Sequence, residues 1–185
     1  QFALYAQDEI ALNSKLHLTY GLRADIPVMF DRPVANEKFN SSYFAKFGTM
    51  TGDIPRTQIL LSPRVGIEWH KEVIELRASA GIYTGRIPFV WLSNCYQNTG
   101  TRSVGVTVNN PAETPDFSLN PESVGIKSNP SIDLVDCKFR YPQVFRTAAG
   151  ATLNLHPWVV SIDADYTKGI NNIFVENLVA EDNGK

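Results

Sequence analysis

Alternation of apolar and polar residues with a period of two most restricts how this chain can fold. From Leu16 to Ile26 every second residue is apolar, aromatic or small, and most of the residues between them are polar. Because successive side chains of a strand lie on opposite faces, this pattern predicts a strand with one apolar and one polar face. Similar patterns predict six strands, at about residues 2–12, 16–26, 58–69, 73–85, 143–155 and 159–168.

The predicted connections fall into two groups by length. Three are tight and rich in turn-forming or polar residues, at positions 13–15, 70–72 and 156–157, which is typical of hairpins. The other two are long and span residues 27–57 and 86–142. Because tight and long connections alternate, all the tight turns lie at one end. We therefore predict an all-β fold, an antiparallel up-and-down meander of about six long strands with short turns at one end and long loops at the other.

This asymmetry is typical of outer-membrane β-barrels, which have short periplasmic turns and long extracellular loops. About ten residues tilted by ~40–45° rise roughly 23–25 Å, close to the ~25 Å apolar band of such barrels. Trp69 and Trp158 flank two of the tight turns, where an aromatic girdle would meet the lipid–water boundary. Asp8 interrupts the apolar register of the first strand. The pattern favours part of a transmembrane β-barrel. A soluble β-sandwich, as a binding or adhesion module of a secreted or cell-surface protein, is the alternative, because its strands alternate in the same way.

Six strands are too few to close a membrane barrel, since the smallest class has about eight. The chain begins at Gln1, inside a strand-like pattern and without signal-peptide features. We therefore expect residues 1–185 to form a single barrel segment of a longer protein, with a mature secreted domain as the alternative. Its expected partners are outer-membrane lipid and the remainder of the barrel. An isolated fragment, with two open sheet edges, is expected to self-associate.

Charge and histidine placement disfavour other functions. A net charge of -2 with 19% charged residues offers no basic face for nucleic acid. The three histidines, His17, His70 and His156, fit no metal-binding spacing, so neither a metal nor a cofactor is predicted. Close carboxylates such as Asp163 and Asp165 are expected to lie on the lumen side of the barrel wall and to form ion pairs there. We expect no enzyme activity. A glycosidase, which would need two carboxylates in a cleft, is the third hypothesis.

The candidate ligand-binding residues lie at the start of the second long loop. They combine aromatic stacking surface with hydrogen-bonding groups, a mixture suited to polar ligands such as glycans. The alternative is that the aromatic residues pack this loop upon itself. The candidates are Arg86, Trp91, Asn94, Tyr96 and Gln97.

The two cysteines, Cys95 and Cys137, both lie in this second long loop. A disulfide between them is predicted, since such bonds persist outside the cytoplasm. Two unpaired thiols are the alternative.

Several segments resemble TonB-dependent outer-membrane receptors of the Bacteroidetes type, which carry a carboxypeptidase-like regulatory N-terminal extension. The resemblance lies in residues 5–9 and 18–25 (Tyr-Ala-Gln-Asp-Glu and Leu-Thr-Tyr-Gly-Leu-Arg-Ala-Asp), in residues 61–66 and 81–91, and in residues 166–172. It covers most strands but not the long loops. It implies a barrel of about 22 strands around a plug, in the outer membrane of a Gram-negative bacterium. Such a receptor imports a small nutrient ligand (a glycan, a peptide or a chelated metal). The TonB complex energises it through an N-terminal region that is absent here.

Overall fold

The computed structural model describes residues 1–101, 106–107, 126–127 and 131–179. The chain divides into two compact units. We call the first the sheet unit, formed by Gln1–Val28, Thr57–Ile87 and Arg140–Asn177. The second, the loop unit, comprises Met29–Arg56, Pro88–Phe139 and Leu178–Lys185, so most of it comes from the two long connections.

The sheet unit is one open antiparallel sheet of six strands. Each strand pairs with the strand next to it along the sheet unit's chain. The predicted all-β, up-and-down arrangement of six antiparallel strands is confirmed. The strands are β1 (Phe2–Asn13), β2 (Leu16–Ile26), β3 (Leu60–Lys71), β4 (Ile74–Thr84), β7 (Gln143–Leu155) and β8 (Trp158–Asn171).

The three tight turns lie at one end of the sheet, as predicted, and the strands on either side of each turn pair with each other. In the first turn the Asn13 side chain accepts a hydrogen bond from the backbone N–H of Lys15, at 2.9 Å, and this closes the chain reversal. The second turn begins at Glu72, whose φ of 48° is left-handed. His70, predicted within this turn, is instead a residue of β3, which continues to Lys71.

The loop unit contains two helices, α1 (Glu37–Phe47) and α2 (Phe89–Gln97). The prediction of long loops without helices is therefore wrong at these positions. The Asn36 side chain caps α1 by accepting from the backbone N–H of Phe39, and Gly48 ends the helix with a left-handed φ of 70°. A two-stranded ladder pairs β5 (Val106–Thr107) with β6 (Ile126–Lys127). None of the described helices is both long and apolar enough to span a membrane.

Few apolar side chains are buried in the sheet unit. Leu60, Ile87 and Tyr141 are the large apolar residues below a tenth exposure among the described residues of this unit. All three lie at or beyond the sheet end from which the long connections leave. The middle of the sheet therefore has no apolar core of its own.

Candidate functional site

One face of the sheet is apolar from edge to edge apart from Asp8, Lys71 and Lys168, because the registers of the five strand pairs align the apolar positions. Across β2 and β3, Leu18 pairs with Ile67 and Tyr20 pairs with Val65. Farther along the same rows, Ile67 pairs with Ala78 on β4. The row of Ile67 continues to the last strand, where Ala149 of β7 pairs with Ala164 of β8. We call this surface the apolar face.

The side chains of the apolar face are exposed to an extent that is unusual for their type. Leu22 is 49% exposed, Ile67 41% and Ile162 72%. Monomeric soluble proteins rarely expose a contiguous apolar patch larger than ~300–600 Å², whereas half-exposed side chains on six strands leave on the order of 1,000 Å². At about 25 cal/mol per Å², covering this surface would be worth roughly 25 kcal/mol. That exceeds the ~5–15 kcal/mol net stability of a typical domain, so this face requires a cover.

Two tryptophans lie on the apolar face near the tight turns. Trp69 pairs with Leu16 and Leu76 in the last rows before the turns, and Trp158 pairs with Leu155 beside the third turn. Trp158 is 73% exposed. Indole rings combine a large apolar body with one N–H donor, which suits a boundary between hydrocarbon and water.

Asp8 is the charged residue that interrupts the apolar face within β1. It pairs with Tyr20 of β2, whose hydroxyl donates a 3.0 Å hydrogen bond to Asp8 Oδ2. The backbone N–H of Glu9 donates to the other carboxylate oxygen at 2.9 Å. Both oxygens therefore have donors, which lowers the cost of placing a carboxylate on an apolar surface.

The opposite surface, which we call the polar face, carries arginine–aspartate pairs. Arg23 and Asp25 pair within β2 at 2.8 Å, and Arg146 of β7 approaches Asp165 of β8 at 3.5 Å. The expectation that Asp163 and Asp165 form ion pairs is confirmed. Asp25 is only 3% exposed and also accepts a 3.0 Å hydrogen bond from the Gln1 amide, so its charge is well compensated.

The pair formed by Arg77 and Asp163 joins strands that are not neighbours. Arg77 lies on β4 and Asp163 on β8, and each pairs by register with Gly150 on the intervening strand β7. The guanidinium reaches across Gly150 to the carboxylate at 2.6 Å. A Cβ on Gly150 would overlap the Asp163 carboxylate and come within 2.8 Å of Arg77 Nε. The ion pair thus requires glycine at this position.

A second glycine, Gly81 of β4, lies between two arginines. Its register partners are Arg64 on β3 and Arg146 on β7. The Arg64 stem leans over Gly81, where a Cβ would meet Arg64 Cγ at 3.0 Å. The Arg64 guanidinium lies over the Tyr83 ring, 4.5 Å from its centroid.

Two histidines meet on the polar face near the tight turns. The rings of His17 and His70 are 6.1 Å apart and edge to face. Glu9 lies 3.8 Å from His17 and Glu68 lies 4.0 Å from His70. No cluster of residues able to hold a metal ion occurs in the described ranges.

A shallow depression of about 180 Å³ lies beside these groups. Its floor on the polar face includes Thr19, Gly66, Ser79 and Ala148, four small residues aligned in one cross-strand row. Arg77, Glu68 and Asp163 border it.

The predicted ligand-binding residues fall into three groups in the structure. Trp91, Asn94 and Gln97 are exposed and spaced three residues apart, so they share one side of α2. Tyr96 holds the loop unit together, since its hydroxyl donates a 2.5 Å hydrogen bond to the Asp31 carbonyl. Arg86 is exposed and belongs to the sheet unit.

Both cysteines carry free thiols, so the structure does not contain the predicted disulfide. Cys95 is buried in α2, and its thiol donates to the Trp91 carbonyl at 3.4 Å. Burial raises the pKa of Cys95 to about 11, and the Asp133 carboxylate adds to this shift. The thiol is therefore protonated and unreactive near neutral pH.

Sequence reasoning missed the aromatic residues of α1. The rings of Phe39, Tyr43 and Phe47 stack on one another at centroid distances of 5.0, 5.7 and 6.3 Å. Their spacing of four residues was the available signal, since residues i and i+4 share a helix face. It was hidden because the segment was interpreted as loop.

In comparisons with known proteins, no family model, curated protein or solved structure matches the chain.

Proposed function

We propose that the chain is a wall segment of a transmembrane β-barrel in the outer membrane of a Gram-negative bacterium. The apolar face would contact lipid and the polar face would line the lumen. The observation that carries this proposal is the apolar face, exposed across all six strands and marked near the tight turns by Trp69 and Trp158. Its partners would be membrane lipid and the remaining strands of the barrel.

The resemblance of the strand segments to TonB-dependent receptors supports a more specific proposal. We infer that the whole barrel imports a nutrient ligand such as a glycan, a peptide or a chelated metal, with a plug and the TonB complex as further partners and without enzyme activity. The exposed side of α2, with Trp91, Asn94 and Gln97, supports contact with a polar ligand.

The soluble β-sandwich is the competing proposal, and the apolar face discriminates between the two. A sandwich covers such a face with a second sheet packed about 10 Å away. In the described residues the second sheet has only the two short strands β5 and β6. The observation therefore favours lipid over protein as the cover.

Two neighbouring residues of β4 offer a matched test, since they differ mainly in the face they occupy. Ala78 is on the apolar face, in the row of Ile67 and Ala149, whereas Ser79 is on the polar face beside Gly66 and Ala148. An arginine on the lipid face near the bilayer midplane costs about 2–4 kcal/mol, which is roughly 30- to 1,000-fold in the insertion equilibrium. An arginine on the lumen face should cost less than about 0.5 kcal/mol.

The measurement is the urea midpoint of the 185-residue chain refolded into phosphatidylcholine vesicles, followed by heat-dependent gel mobility and protection from trypsin. We expect Ala78→Arg to lower the midpoint strongly and Ser79→Arg to leave it nearly unchanged. Equal effects of the two substitutions, or a wild-type chain that stays monomeric in detergent-free buffer, would contradict the proposal.

A further inference from the structure

The charges of the polar face are separated along the strands. The half of this face toward the long connections has three arginines against one aspartate. The half toward the tight turns has five carboxylates against one arginine. The first group is Arg23, Arg64, Arg146 and Asp25; the second is Glu9, Glu68, Glu75, Asp163, Asp165 and Arg77. A field of this kind draws anions toward the loop-side half.

Within the positive half, Arg64 and Arg146 lie in one cross-strand row with Gly81 between them. Two strand spacings separate their Cα atoms, which is roughly 10 Å. Gly81 has no side chain, and the stem of Arg64 occupies the space above it, where a Cβ would meet Arg64 Cγ at 3.0 Å. The row thus brings Arg64 and Arg146 next to each other with no side chain of β4 between them.

Neither guanidinium of this row is strongly neutralised. No carboxylate of the described residues lies within 4.0 Å of Arg64, whose contact is the Tyr83 ring at 4.5 Å. Arg146 reaches Asp165 only at 3.5 Å, whereas the ion pair of Arg77 in the other half is 2.6 Å long. The Tyr83 ring orients Arg64 through a cation–π contact without using its N–H donors.

We propose that Arg64 and Arg146, across Gly81, form a binding site for the oxyanion group of a small water-soluble ligand, a carboxylate, sulfate or phosphate. The planar guanidinium fork matches two oxygens of such a group and forms charge-assisted hydrogen bonds with both. Asp25, which is held by Arg23 and Gln1, attracts Arg64 through its charge but forms no ion pair with it.

The site itself stands on the geometry of the sheet, and its role in capturing a nutrient rests on the proposed function. It specifies the ligand class, since a neutral oligosaccharide would supply neither guanidinium with an anionic partner. The two proposals can fail separately. A chain that does not insert into membranes would contradict the barrel proposal. Anion binding is measured on the folded sheet in micelles, so its result does not depend on membrane insertion.

The test is a titration of the chain, labelled with ¹⁵N-arginine and refolded in dodecylphosphocholine micelles, with sodium sulfate and with sodium glucuronate at constant ionic strength. We expect the Nε–Hε signals of Arg64 and Arg146 to shift together and to saturate in the millimolar range or below, with one or both anions. Saturation with sulfate alone selects a tetrahedral oxyanion, and saturation with glucuronate alone selects a carboxylate.

Substitutions identify the residues responsible. We expect Arg64→Ala or Arg146→Ala to weaken binding at least 10-fold. Arg64→Lys, which keeps the charge and loses the fork, should weaken it about 3- to 10-fold while leaving the backbone spectrum folded. Arg77→Gln, in the negative half, is the matched control and should leave the affinity within 2-fold. Linear shifts without saturation, or equal shifts at Arg77, would overturn the proposal in favour of nonspecific screening.

Discussion

Replacing Gly150 by alanine tests whether the ion pair of Arg77 and Asp163, which crosses β7, requires glycine at position 150. The added Cβ would overlap the Asp163 carboxylate and lie 2.8 Å from Arg77 Nε, so the pair must open. An exposed ion pair is worth about 0–1 kcal/mol, and relieving an overlap typically costs a further 1–3 kcal/mol. Alanine recovers about 0.5–1 kcal/mol over glycine through chain entropy. We expect a net loss of about 1–2 kcal/mol.

Gly66 provides the matched control, since it lies on the same face in the middle of β3. The nearest atom that a Cβ there would meet is the Ala78 carbonyl oxygen at 3.8 Å, which is an ordinary contact. Gly66→Ala should therefore be neutral or stabilise the sheet by up to about 1 kcal/mol. The assay is urea unfolding in detergent micelles, followed by circular dichroism.

The double variant Gly150→Ala/Asp163→Ala isolates the cause. With the carboxylate gone, the Arg77 side chain is free to swing aside, and the cost of the alanine should fall below about 0.5 kcal/mol. The reasoning would be refuted if Gly150→Ala and Gly66→Ala had the same free energy of unfolding, or if the cost of the alanine persisted without Asp163.

Three further predictions concern single side chains. Tyr20→Phe removes the donor to Asp8 Oδ2 and should lower the urea midpoint of unfolding in micelles, whereas Tyr166→Phe on the same face should change it little. Equal effects of the two substitutions would contradict this role. Iodoacetamide at pH 8 should alkylate Cys137 and spare Cys95, as read by mass spectrometry, because burial raises the Cys95 pKa to about 11. This pKa lies above the ordinary 9.0, so the stability contributed by the neutral thiol is complete below about pH 9 and is lost as the pH rises through about 11. If iodoacetamide alkylates neither cysteine until a reductant is added, the two cysteines form a disulfide and the prediction is wrong. In a Trp91→Phe variant, the fluorescence of Trp69 and Trp158 should be quenched more by lipids brominated near the headgroup than by lipids brominated near the chain end, and the reverse order would exclude an interfacial position.

The strands were predictable because each one carries its own alternating pattern. β2 and β7 match the sequence-based bounds at both ends, and β3 differs at each end by two residues. The turns then determine the register, because a slip by one residue would move an entire apolar set to the other face. Short-range signals are sufficient for an up-and-down sheet in which each strand pairs with the next long strand.

The helices were missed for a different reason. α1 has local signals, since Asn36 can cap it, Glu37 lies in its first turn and Gly48 follows its last residue. Its apolar stripe is narrow, since it consists of Phe39, Tyr43 and Phe47 at a spacing of four residues among mostly polar residues, and the segment was interpreted as loop. The residue types on the exposed side of α2 were sufficient to predict Trp91 and Asn94 as candidate ligand-binding residues, although the helix itself was not predicted.

The row formed by Arg64, Gly81 and Arg146 could not be predicted from residue types alone. Arg64 and Arg146 are far apart in the sequence, and only the paired registers of β3, β4 and β7 place them on either side of Gly81. Arginines on the polar face were expected as wall charges. The distinction between neutralised and unneutralised guanidinium groups required distances across strands.

The lengths of the connections determine where this molecule tolerates change. The free energy needed to close a flexible segment grows only with the logarithm of its length, so extending a segment from about 33 to about 58 residues costs roughly 0.5 kcal/mol. The turns Ser14–Lys15 and His156–Pro157 have no such latitude, because one inserted residue there would invert the faces of a whole strand. Insertions, deletions and new recognition sequences can therefore accumulate between β2 and β3 and between β4 and β7 while the six strands stay unaltered. One end of the sheet is free to diversify, and the other must keep its count of residues.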